Sequence, residues 1–68
     1  MKALSGKELA RLLEAHGWQL KSIKGRHRVY AKAGNPARIS VPIHGNRPLM
    51  IGLLRHLLRT AGISEGEL

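Results

Sequence analysis

Apolar positions follow a helical period at both ends of the chain and an alternating one in between. Leu9, Leu12, Leu13 and His16 fall at three- and four-residue spacings, the mark of one packed helical face. Ser5 followed by Glu8 fits a capping box, and Leu4 with Leu9 fits a hydrophobic staple, so a helix is expected to begin near Gly6 and to stop at Gly17. Trp18 to Lys24 reads as a strand with an irregularity near Ser22, because Trp18 and Leu20 are in phase and Ile23 is not. After Gly25-Arg26, the run His27 to Lys32 alternates Val29 and Ala31 with Arg28, Tyr30 and Lys32. This predicts a half-buried strand paired with the first as a hairpin. Gly34-Asn35-Pro36 signals a turn, and Arg38 to Ile43 predicts a third strand with Ile39 and Val41 in phase, ending at Pro42 or just beyond. His44 to Arg47 reads as a loop. Pro48 is expected in the first turn of a second helix, whose broad stripe is Leu49, Leu53, Leu54, Leu57 and Leu58. Gly62 should end it, with Ile63 closing back onto Leu58, and Ser64 to Glu67 suggests one more capped turn. The expected fold is α+β with the order α-β-β-β-α, a three-stranded antiparallel sheet carrying both helices on one face.

Sixty-eight residues suit a single domain spanning 1–68, since so short a chain supports one core only. No repeat or linker divides it. The absence of cysteine rules out disulfides and thiolate metal sites and suits a reducing cytoplasm. No apolar run reaches the roughly 18–20 residues of a membrane span, and the first residues lack a signal peptide's apolar segment, so a soluble, cytoplasmic protein without membrane contact is expected.

Charge narrows the picture further. Twelve Lys and Arg oppose four Asp and Glu, a formal +8 at pH 7, and two of the acids, Glu65 and Glu67, lie in the last four residues. Such a body attracts polyanions, so nucleic acid, acidic lipid or an acidic protein are the candidate partners.

The sharpest local feature is Lys24-Gly25-Arg26-His27-Arg28-Val29-Tyr30, an imidazole among cations at a hairpin corner. Cleaving a phosphodiester requires cations on its oxygens and a group that moves protons near neutral pH, and RNA supplies its own 2′-OH nucleophile without a metal. Lys24, Arg26 and Arg28 are the candidate phosphate contacts and His27 the candidate proton carrier. Local sequence leaves open that His27 is an ordinary strand residue on a solvated basic face. Period-two counting puts it in phase with Val29 and Ala31, toward the helices, and puts Tyr30 outward, where it can touch a ligand. His44 and Arg47 in the loop before the second helix form a second candidate anion contact, with a loop-capping histidine as the alternative. Trp18 is read as a core anchor, and His16 and His56 receive no role. Four scattered carboxylates make no metal cage, no serine has a nucleophile-elbow setting, and no phosphate-binding glycine loop is present, so no cofactor is expected.

The chain resembles the HicA toxins, the mRNA-cleaving members of HicA/HicB toxin–antitoxin pairs. The resemblance lies in Ser5-Gly6-Lys7-Glu8-Leu9, Gly17-Trp18, Gly25-x-His27-x-x-Tyr30, Val41-Pro42-x-His44, and Leu54 through Ala61-Gly62-Ile63, in that order. It implies a fold similar to the double-stranded RNA-binding domain, a metal-independent endoribonuclease acting on mRNA, and a HicB-like antitoxin that covers the site. It also implies that His27 is the catalytic histidine. Arg26 stands where the family very often has serine, and Arg28 where a second histidine is common; both changes add charge and keep His27. Two further readings compete with a toxin ribonuclease: a non-catalytic RNA-binding module using the same hairpin and, more weakly, an adaptor for an acidic partner.

Overall fold

The computed structural model describes residues 2–68. Helix α1 (Gly6–Ala15) begins as its capping box requires: the Glu8 N–H donates to Ser5 Oγ at 3.2 Å, and the Ser5 N–H donates to Glu8 Oε1 at 2.9 Å. It ends at Gly17, whose φ of 90° lets the Trp18 N–H reach back to the Leu13 carbonyl at 3.0 Å. Strands β1 (Gln19–Lys24), β2 (His27–Lys32) and β3 (Asn35–Pro42) form one antiparallel sheet in the order β1-β2-β3. Helix α2 (Ile51–Ala61) follows and closes with Gly62 in the left-handed region and the Ile63 N–H donating to the Leu58 carbonyl. A single 3-10 turn, Glu65–Glu67, capped by Ser64, ends the described chain.

The irregularity expected near Ser22 is a bulge that leaves Lys21 unpaired between the Leu20–Tyr30 and Ser22–Val29 pairs. Its effect is to return Ile23, out of phase with Leu20 in sequence, to the face that Leu20 occupies. The turn before β3 falls on Ala33-Gly34, so Asn35 and Pro36 already belong to the strand, and the Asn35 side chain accepts from the Ala37 N–H at 2.9 Å.

Which face of the sheet is covered follows from pairing. Tyr30 lies opposite Ile39 and Arg28 opposite Val41, and opposed residues in an antiparallel pair share a face. Tyr30, Ile39 and Val41 are buried with Leu9 and Leu13 of α1, Leu54, Leu57 and Leu58 of α2, and Trp18 in one core cluster. Both helices therefore cover the Arg28–Tyr30 face. This reverses the sequence expectation for β2: Tyr30 points inward, while His27, Val29 and Ala31 lie on the open face. Ala31 is buried but outside that cluster, flanked by its strand partners Gln19 and Arg38.

Two contacts fix the end of the sheet where His27 begins. A Cβ on Gly6 would collide with the Pro42 carbonyl oxygen, so glycine lets the start of α1 sit directly on the end of β3. The Leu49 N–H donates to the Leu4 carbonyl at 2.7 Å beside a Ser5–Pro48 bridge. That bridge also corrects the expected start of α2. Pro48 and Leu49 are engaged with the segment before α1, so the helix starts at Ile51 with Met50 as its cap. Leu53 correspondingly rotates partly into solvent, and the buried stripe is Leu54, Leu57, Leu58 and Ala61.

Candidate nucleic-acid interface

His27 opens β2 on the uncovered face of the sheet, between Lys24 of β1 and Pro42 of β3. Its side chain is exposed, and among the described residues it takes part in no side-chain hydrogen bond or ion pair. An imidazole at a strand start gains a rigid backbone without losing access, which suits a group that must approach a ligand. The burial that its sequence phase suggested does not occur, because the helices pack on the other face.

The turn between β1 and β2 is tied to the loop after β3 by the Ile43 N–H, which donates to the Arg26 carbonyl at 2.7 Å. This bond brings together residues 17 or more positions apart. Arg26, Ile43, His44, Gly45 and Arg47 line one open depression of about 390 Å³, in which the three charged or titratable side chains are all exposed. Gly45 has a φ of 59°, which turns the loop around the depression.

The candidate residues thus fall into four places. Lys24 and His27 are paired neighbours on the open face, and Arg26, His44 and Arg47 gather around the depression at the same end of the sheet. Arg28 is half-buried on the helix side, where it lines a different recess with Ile23, Gly25, Arg26 and Ile43. Tyr30 is withdrawn from any ligand: its ring is fully buried, and its hydroxyl donates to Glu14 Oε2 at 3.3 Å. Burial pushes the Tyr30 phenol above its ordinary pKa, the nearby Glu14 carboxylate adds to the rise, and Arg28 opposes it. In the sequence, Pro42 is legible only as a strand end and within Val41-Pro42-x-His44, and Ile43 is given no part in the site, because the Ile43 contact is a backbone bond to a residue 17 positions away.

The cations at this end of the molecule share a lack of counter-charge with most of the others. All four carboxylates are engaged elsewhere: Glu8 in the α1 cap, Glu14 with Tyr30, Glu65 with Arg55 at 3.5 Å, and Glu67 with His16 at 3.3 Å. Among the described residues, Lys24, Arg26 and Arg47 have no intramolecular counter-charge, so their field is directed outward. No group of three His, Asp or Glu side chains that could hold a metal ion forms among those residues. None of their helices is long and apolar enough to cross a membrane.

A family model described as HicA toxin of bacterial toxin-antitoxin matches residues 6–63, from the first residue of α1 to the residue that closes α2. The chain belongs to the HicA toxin family. As a HicA toxin it is the toxin member of a toxin–antitoxin system, and a cognate antitoxin is its partner. The matched span holds the whole sheet, His27 and the depression beside it. Among curated proteins, none matches this HicA chain.

Proposed function

We propose that this HicA toxin is an endoribonuclease that cleaves mRNA in the cytoplasm without a metal ion, with His27 as its proton-transfer group. The observation that carries this reading is the position of His27: exposed at a strand start on the open sheet face, beside Lys24, at the end of the molecule where Arg26, His44 and Arg47 gather unpaired. Lys24, Arg26 and Arg47 hold phosphate oxygens and offset the charge that builds up at phosphorus. His44 contacts the backbone from the loop. Neutral His27 takes the proton of the 2′-OH as that oxygen bonds to phosphorus, the bond from phosphorus to the 5′ oxygen breaks, and a proton passes to the leaving oxygen. The products are a 2′,3′-cyclic phosphate and a 5′-hydroxyl end. Arg28 contributes from the helix side through charge.

One observation favours the alternative of a non-catalytic RNA-binding module: no side chain orients the His27 imidazole, whereas a general base is commonly held by a third group. Cleavage of a defined RNA in EDTA separates the two. With His27→Ala, the rate is expected to fall by at least about 100-fold, the usual scale of a general acid or base, while RNA affinity changes little. If the wild type leaves the RNA intact, the binding-module reading replaces this one; if the variant cuts as well as the wild type, His27 has no catalytic part.

A further inference from the structure

The start of α2 exposes apolar side chains that the core does not use. Met50 is 81% exposed, Ile51 44% and Leu53 38%. Met50 and Leu53, with Pro48 and Leu49, line a recess of about 320 Å³ whose rim is His44 and Arg47. The same two rim residues line the basic depression beside His27, so the apolar recess and the proposed RNA site are contiguous. Beside the recess, a Cβ on Gly52, between Met50 and Leu53 in the chain, would meet open space.

We infer that this recess is the docking surface for a segment of the antitoxin that combines a large apolar side chain with one or more carboxylates. The inference rests on the proposed ribonuclease site for its consequence, since an occupant of the recess covers His44 and Arg47. The chemistry of the occupant follows from its setting. The apolar floor suits a protein anchor and offers RNA nothing to bond. Arg47 has no acidic partner within the chain, and the first turn of α2 carries neither a side-chain cap nor an acidic residue, so a carboxylate from outside meets donors there. A second copy of this chain fits poorly. Its own recess would bring Arg47 against a second Arg47, and all four of its acidic side chains are engaged elsewhere.

Calorimetric titration of the purified toxin with its cognate antitoxin tests this, using wild type, Met50→Ser and Gly52→Trp. Met50 is almost wholly solvated and the Gly52 position is open, so both variants should keep the wild-type melting temperature. Each is expected to weaken antitoxin binding by at least tenfold and to leave RNA cleavage unchanged. Full antitoxin affinity in both variants overturns the inference. So does a fall in RNA affinity with Met50→Ser, which makes the recess an RNA surface, or a wild-type dimer that Met50→Ser dissociates, which makes it a self-association face. A wild type that cuts no RNA overturns the ribonuclease reading alone, and the titration still decides the docking surface.

Discussion

Gly6 occupies a position with no room for a methyl group, because a Cβ there would run into the Pro42 carbonyl oxygen and press on Ile43 Cδ1 at 3.0 Å. Alanine improves helix propensity by up to about 1 kcal/mol relative to glycine. Overpacking against a backbone atom that cannot rotate away costs about 1–3 kcal/mol and dominates. Gly6→Ala is therefore expected to lower the urea midpoint, and the displaced Pro42 should disturb the neighbouring His27. His27 and Tyr30 carry the other lesson at this scale. Tyrosine in phase with two cations, Arg28 and Lys32, reads as outward, yet its ring fills the core and only the hydroxyl needs a polar partner, which Glu14 supplies. Valine and alanine read as inward, yet they sit on the open face because the opposed strand places Ile39 and Val41 on the other side. Alternation within one strand is unchanged by exchanging its faces, so β2 by itself could not assign them.

Helix α1 depends on the reciprocal bonds of Ser5 and Glu8, and each makes a prediction. Ser5→Ala removes the acceptor for the Glu8 N–H and is expected to cost about 1 kcal/mol in chemical unfolding. The bond from the Ser5 backbone N–H holds the Glu8 carboxyl below its ordinary pKa; desolvation, the next largest effect, opposes it, and the Ser5 hydroxyl, Lys2 and Arg11 add smaller lowering effects. A carboxyl with a depressed folded pKa binds its proton more readily when unfolded, so its stabilisation is present above the unfolded pKa. It is lost as pH falls through the lower, folded value. Melting temperature should accordingly drop on the acid side of the carboxylate range, and Glu8→Gln should flatten that part of the profile. A Glu8→Gln profile identical to the wild type would show that other carboxyls govern it. The α2 start differs in kind: its position follows from the Leu4–Leu49 and Ser5–Pro48 contacts, and Met50 adds no cap.

For the whole molecule, the decisive property is how little of its positive charge is neutralised. The carboxylates serve α1, Tyr30 and the C-terminal turn, which leaves the His27 end cationic. Each phosphate contact with single-stranded RNA contributes roughly 0.7 to the slope of log affinity against log salt. Lys24, Arg26 and Arg47 together predict a slope of about −2. The double variant Arg26→Ala, Arg47→Ala should reduce it by about 1.4 while leaving the fold intact, since both side chains are exposed. A salt slope that stays as steep in the double variant would place the phosphate contacts elsewhere.

The sequence by itself determined the element order, the capped start of α1, both glycine stops, the bulge in β1, and the family through motifs that span nearly the whole chain. These are local or ordered features, set by spacing and turn chemistry within a few residues. Only the tertiary structure decided which sheet face is covered, and hence that His27 is open and Tyr30 closed. It alone decided that Arg26 meets His44 and Arg47 through the Ile43 bond, and that Pro48 belongs to a bridge instead of a helix. Each of these depends on pairing between segments far apart in the chain, where the packing of one face against two helices selects between alternatives that are equal within any single strand or loop.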